Sequence, residues 1–377
     1  MVTIKNPFVV GSYISPEYFC GRKHETQLLV KHVENGRNVA MIAPRRLGKT
    51  GLIWHFLQLP EIKSQYYTLF VDLYSTSSLP EMVRSLAMEV YRNLQSNTER
   101  WWERFATVIS SLNMNIAADP ITGTPSLSIG LGQIKSPEVT LDQIFKYLET
   151  ADRPCIVAID EFQQIANYKE KNVEAMLRTR IQQCSNTHFI YSGSKRHMMV
   201  QMFNSPSRPF YQSCINMSLD TLPVEEYISF AQRMFETQDK KVKREVVEKV
   251  YSDFEGVTWY MQMMMNELFA MTGRGETCNM DYYQIALENV VFSQKQIYDE
   301  IFSVMPHKQK MLLEAIAREG KVLQVTSGAF VRKHSLLSAS SVQSSLKGLL
   351  EKDIVTQTDG GYQLYDYFMA YYLNKRC

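Results

Sequence analysis

The sequence has almost no excess of charge of either sign: 41 Lys and Arg stand against 39 Asp and Glu, a formal net charge of +2. So weak a global field gives no long-range attraction to nucleic acid or to an anionic membrane. There is no C-x-x-C pair. Six cysteines (Cys20, Cys155, Cys184, Cys214, Cys278, Cys377) are scattered along the chain, which argues against a zinc site and for reduced thiols. No apolar run reaches membrane-spanning length. The opening Met1-Val2-Thr3-Ile4-Lys5-Asn6-Pro7 lacks the basic start and long apolar stretch of a secretory leader. Internal repeats and low-complexity tracts are missing too. What remains is an ordinary globular balance, 45% hydrophobic and 21% charged over 377 residues, enough chain for two or three domains. The cytoplasm is the expected compartment, with no membrane partner.

The most informative stretch is Ala43-Pro44-Arg45-Arg46-Leu47-Gly48-Lys49-Thr50. It fits the phosphate loop G-x-x-x-x-G-K-[ST], with Ala43 in place of the first glycine. An apolar run, residues 38–42, precedes it and reads as a buried strand. Residues 50–57, beginning Thr50-Gly51, read as the helix after it. That strand–loop–helix context is what the motif requires. Backbone N–H groups of such a loop curl around a phosphate at a helix N-terminus, where the dipole favours negative charge. Gly48 lets the backbone approach closely, Lys49 faces the outer phosphates, and the Thr50 hydroxyl is a candidate Mg2+ ligand. A chance Gly-Lys-Thr in a surface turn is the competing explanation.

A second motif makes chance a poor explanation. Residues 154–161 run from Pro154 through five apolar positions into Asp160 and Glu161, as expected of a central parallel strand opening at its carboxyl end. Ligands bind at that edge of open α/β sheets. Asp160 is placed to hold Mg2+ opposite Thr50, and Glu161 to orient or deprotonate a water.

Further strands are expected at residues 67–74 and 187–192, and helices at 26–33, 81–94, 139–148 and 172–183. Alternating strands and helices predict a parallel, three-layer α/β core over residues 1–221. Residues 97–138 break the rhythm. A helix around Trp101–Val108 is expected there, then a hairpin whose strands carry Leu112, Met114, Ile116 and Leu127, Ile129, Leu131. From about 222 to 300 only helices are expected, at 224–235, 242–251 and 259–271. The last is apolar nearly all round and reads as a core helix. Residues 301–377 read as a winged helix, with helices at 308–318, 327–334 and 338–350 and a hairpin closed by Asp359-Gly360-Gly361.

Together these parts resemble the archaeal-type ATPases of the STAND branch of the AAA+ superfamily, a family with members in gut Bacteroidales. The resemblance spans essentially the whole chain. It rests on Phe19-Cys20-Gly21-Arg22 with Glu25, the loop at 43–50, Ile159-Asp160-Glu161-Phe162, Ser192-Gly193-Ser194 and Tyr362-Gln363-Leu364-Tyr365-Asp366. It implies a core that binds ATP or ADP with Mg2+, a helical lid, and a winged helix that closes on the nucleotide. Within it, Arg22 lies toward the adenine, Tyr18 and Phe19 are stacking candidates, and Ser192 takes a polar sensor position. Two departures stand out: Thr258 replaces the proline of a Gly-x-Pro near the nucleotide, and Gln212-Ser213 replaces a Gly-Arg.

Three functions are compatible with these residues. The first is a slow ATPase working as a nucleotide-controlled switch with a protein partner. The second is a DNA-binding protein using the winged helix, with ATP as a loading signal. The third, a small-molecule kinase, leaves the long C-terminal part unexplained. Residues 301–377 hold ten Lys or Arg and six Asp or Glu. The outward face expected for the third winged-helix helix offers Ser341, Gln343, Ser344, Ser345 and Lys347, with no arginine to read a guanine edge. Arg332, Lys333, Lys347 and Lys352 support only weak phosphate contact.

Overall fold

A computed structural model describes residues 4–11, 13–94, 115–118, 125–128, 134, 136–358 and 360–376. The chain forms two compact units, Gly11–Leu222 and Met1–Val10 with Pro223–Cys377.

The first unit runs α1 (Lys23–Glu34), β1 (Val39–Ile42), α2 (Lys49–Leu57), α3 (Pro60–Gln65), β2 (Tyr67–Asp72), α4 (Leu79–Asn93), β3 (Asn115–Ala118), β4 (Pro125–Ser128), α5 (Pro137–Glu149), β5 (Cys155–Asp160), α6 (Val173–Gln183), β6 (Thr187–Gly193), α7 (Arg196–Asn204) and β7 (Ile215–Ser218). Five of these strands form one parallel sheet in the order β2-β5-β6-β1-β7. All of β1 and β5 is buried, which is why both read as unbroken apolar runs rather than as alternating ones. Both sheet faces are covered. Ala40, Ile42, Val157, Ile159 and Tyr191 join one core with α4 to α7, while the alternate residues Val39, Met41, Ile156, Ala158 and Ile190 are buried outside that cluster. That is the period of two expected of a sheet sandwiched between helices. Prolines open α3, α4 and α5 at their first turns, where a missing N–H costs nothing.

The β7 strand and helices α3 and α7 went unread in the sequence. The expected hairpin is present as the antiparallel pair β3–β4, with Ile116 opposite Leu127. The helix expected around Trp101 and the turn at Asp119–Gly123 lie outside the described residues.

The second unit holds α8 (Val224–Glu236), β8 (Lys241–Val242), α9 (Arg244–Asp253), α10 (Thr258–Met271), β9 (Thr277–Cys278), α11 (Met280–Ser303), α12 (His307–Glu319), α13 (Gly328–Lys333), α14 (Ala339–Glu351), β10 (Val355–Thr358), β11 (Gly361–Leu364) and α15 (Tyr367–Arg376). The helices-only expectation for 222–300 needs correction, because β8 and β9 pair in parallel for two residues. Methionine-rich α10 is a core helix, with Met261, Met264 and Met265 fully buried. The chain's start also belongs here: the Phe8 ring meets those of Phe230, Phe235 and Phe269, and Asn266 Nδ2 donates to the Phe8 carbonyl at 2.7 Å.

Residues 307–376 build the winged helix. Val322 bridges Tyr362 beside the β10–β11 hairpin. Gly361 permits this: it has φ +107°, and a Cβ there would lie 2.5 Å from the Val322 carbonyl oxygen. On α14, Ser345 is buried, which corrects its assignment to the outward face: it lies three residues after Val342 and turns with it into the core. Leu350, at the end of the same helix, is half-exposed. Among the described residues no helix is long and apolar enough to cross a membrane.

Candidate functional site

The sheet order decides the site. β6 lies between β1 and β5, so the loop after β1 and the acids ending β5 are bridged by the carboxyl end of β6. The register pairs Met41 with Ser192 and Ile159 with Tyr191. Ser192 therefore stands between the phosphate loop and Asp160.

In the loop, Arg46 and Gly48 have φ of +69° and +86°. The left-handed step at Gly48 turns the chain directly into α2, whose first N–H groups have no intrahelical partner and face the loop's concavity. Lys49 is 6% exposed. Its Nζ donates to the carbonyls of Ala43 and Pro44 at 2.8 and 2.7 Å. Burial pushes its pKa down to about 8; the nearby carboxylates of Asp160 and Glu161 oppose that shift, and Arg45 adds to it. Thr50 Oγ1 donates to Asp160 Oδ2 at 2.6 Å. The other oxygen, Oδ1, accepts from Ser192 Oγ at 2.6 Å and from the Glu161 N–H at 3.0 Å. Asp160 and Ser192 are both buried. Glu161 sits in the left-handed region at φ +52°. Its Oε2 accepts from Ser194 Oγ at 2.7 Å and from Gln163 Nε2, and Arg45 Nε donates to Ser194 Oγ at 3.0 Å.

Arg22, also left-handed and buried, ties the preceding segment to the loop. It pairs with Glu25 at 2.7 Å and donates to the Leu47 carbonyl at 3.1 Å. Phe19 stacks on His55 of α2 at 4.4 Å and lies 3.5 Å from where a Cβ on Gly51 would sit. Tyr18 lies in the short 3-10 turn Pro16–Tyr18 and makes no ring contact among the described residues. The structure thus gathers the residues 43–51, Asp160, Glu161 and Ser192 at one sheet edge, with Arg22 and Phe19 beside them.

Three participants were not read from the sequence. Asp72 ends β2 directly beside Asp160 in the register; burial, with Asp160 and Glu161 close by, raises its pKa against the Tyr74 N–H bond. The signal for it was its place at a strand's carboxyl end. Gln163 and Ser194 are the other two. Ser194 stood in a recognised motif without a role, and nothing in the sequence marks Gln163.

Thr50 and Asp160 form a hard-oxygen pair that suits Mg2+. Among the described residues no group of three or more His, Cys, Asp or Glu is poised around a metal. Mg2+ here would complete its shell with phosphate oxygens and water, its usual habit.

Comparisons with known proteins agree on the architecture. A family described as "Probable winged helix domain" matches residues 296–375. No curated protein matches. Among solved structures, the chain is similar to the Walker-type ATPase PABY2304 of Pyrococcus abyssi, with a TM-score of 0.64 at 16% identity over 98% of this chain and 99% of that one. The Aeropyrum pernix ORC2 protein, solved as ADPNP–ADP complexes, gives 0.61 at 14% identity over 98% and 95%. The Aeropyrum pernix ORC1 protein in complex with DNA gives 0.53 at 11% identity over 96% and 94%. At such identities the likeness establishes the fold: an α/β P-loop ATPase architecture with a C-terminal winged helix.

Proposed function

We propose that the chain is an ATP-binding, Mg2+-dependent ATPase of slow turnover that works as a nucleotide-controlled switch, of the STAND type its motifs resemble. The observation that carries this reading is the contact between Thr50 of the phosphate loop and Asp160, locked from the far side by Ser192, with buried Lys49 a residue away. Lys49 on loop carbonyls is a cation held where the outer phosphates belong, and bound phosphate replaces those carbonyl contacts with stronger ones between two ionised groups. Thr50 and Asp160 would hold the metal, which would offset phosphate charge. Glu161 orients the attacking water and accepts its proton. Arg22 and Phe19 flank the loop on the side assigned to the base. In the switch, nucleotide sets the state of the lid, residues 222–300, and of the winged helix, residues 301–377, through contacts that differ between ATP and ADP.

The test is a pair of variants followed by calorimetry and single-turnover hydrolysis. Lys49→Ala weakens ATP binding by roughly 10- to 100-fold, the worth of a hydrogen bond to a charged group. Glu161→Gln keeps ATP bound and slows hydrolysis by roughly 100-fold or more. Unchanged ATP affinity in Lys49→Ala refutes the site.

A second reading, DNA binding through the winged helix, draws on the likeness to the DNA-bound ORC1 protein. The local chemistry weighs against it. Lys333 pairs with Glu319 at 2.5 Å, Lys347 lies 4.0 Å from Glu351, and Lys352 donates to Gln309 at 3.4 Å. Cations already facing partners on their own domain contribute less to phosphate neutralisation.

A further inference from the structure

We infer that Ser194 and Gln163 are positioning residues that clamp one oxygen of Glu161, and that Arg45 sets the polarity of the clamp from within the phosphate loop; this rests on the ATPase reading above.

The proton count fixes the direction of every bond. The Arg45 guanidinium can only donate, and its Nε–H points at Ser194 Oγ, 3.0 Å away. The Ser194 hydroxyl accepts that bond, so its single proton is free for Glu161 Oε2, 2.7 Å away. Gln163 gives an amide N–H to the same oxygen. With Oε2 held by two donors, Oε1 is the oxygen left to receive a water. A general base gains from such fixing, because a misplacement near 1 Å costs about 100-fold in rate.

The surroundings support the clamp rather than chance proximity. Gln163 is 1% exposed, and its Oε1 has no hydrogen-bond partner among the described residues. Leaving a buried amide oxygen unpaired is unfavourable, so the glutamine is poor as mere filling. Room for it is made by Gly193: a Cβ there would lie 2.3 Å from Gln163 Oε1 and 2.5 Å from the sulfur of Met199, itself fully buried. The Ser192-Gly193-Ser194 triplet thus divides its work. Ser192 holds Asp160, Gly193 admits Gln163, and Ser194 holds Glu161. Because Arg45 belongs to the loop that would wrap phosphate, the base is fixed relative to the phosphate site through a chain of two hydrogen bonds.

The experiment measures ATP affinity and single-turnover hydrolysis in the full chain for Ser194→Ala, Ser194→Thr, Gln163→Met, Glu161→Gln and the double variant Glu161→Gln with Ser194→Ala. Ser194→Ala and Gln163→Met are expected to slow hydrolysis roughly 10- to 100-fold with ATP affinity unchanged. Ser194→Thr, which keeps the hydroxyl, restores most of the rate. The double variant is no slower than Glu161→Gln alone, the non-additivity of groups acting through one another. A wild-type rate in both Ser194→Ala and Gln163→Met, while Glu161→Gln is slow, overturns the clamp and leaves the ATPase reading standing. Losses that multiply in the double variant, or that fall on affinity instead of rate, also overturn it. A wild-type chain that hydrolyses no ATP overturns the clamp and the ATPase reading together.

Discussion

Lys49 shows how one residue's surroundings set a measurable property. Its folded pKa, about 8 against an ordinary 10.5, comes first from burial. The sign follows from which form each state prefers. Folding without ligand disfavours the charged amine, so the cost falls away as pH rises through 8 toward 10.5, where the unfolded chain also loses its proton. Phosphate demands the opposite, since it binds the ammonium form. ATP affinity is therefore expected to hold up to pH 8 and to fall above it, by at most about tenfold per pH unit. Binding at pH 9 should also take up a proton. Calorimetry in two buffers of different ionisation enthalpy at pH 7 and pH 9 checks this; equal proton uptake at both would show that Lys49 is not the titrating group.

Among elements, an aromatic cluster joins α10 to the winged helix within the second unit. Phe254, just past the end of α9, and Trp259 and Tyr260 of α10 meet Phe368 of α15, with ring centroids 5.1 to 6.3 Å apart. Tyr260 Oη donates to the Tyr365 carbonyl at 3.0 Å, Tyr298 Oη to Asp366 at 3.2 Å, and Lys321 pairs with Glu255 at 2.6 Å. Phe368 is fully buried, and truncating such a ring costs about 3–5 kcal/mol. Phe368→Ala should therefore lower hydrogen-exchange protection in α10 and α14 together. Loss confined to α14 and α15 would mean that α8 to α11 stand independently of the winged helix. The aromatic spacing of this join was invisible in sequence, because Tyr260 and Phe368 lie over a hundred residues apart.

For the whole molecule, the question is what the winged helix reads. The exposed face of α14 carries Gln343, Ser344 and Lys347, and Ser345 is lost to the core. The 377-residue chain is expected to bind duplex DNA weakly and without sequence preference, with affinity falling steeply with salt. The full chain is the right sample, since cutting at residue 301 would expose Tyr260 and Phe368. If nucleotide controls the second unit, ADP and ATP should give different limited-proteolysis patterns in residues 223–376. Tight binding to one duplex at physiological salt, with cleavage blind to nucleotide, would make the chain a DNA-binding regulator instead.

The sequence by itself determined the alternation of strands and helices, the phosphate loop and the acidic strand end, because each rests on local chemistry: apolar runs, a Gly-Lys-Thr turn and a hairpin glycine. It also determined that the chain carries a winged helix, through three helices and a hairpin in order. Only the tertiary structure decided that β6 lies between β1 and β5, which brings Ser192 onto Asp160 and Ser194 onto Glu161. It alone decided that Phe8 packs with α8 and α10, that Ser345 turns inward, and that Gln163 reaches a carboxylate past a glycine. Strand order and long-range packing depend on which surfaces bury one another, and hydrophobic patterning along a segment marks that a face is buried without saying against what.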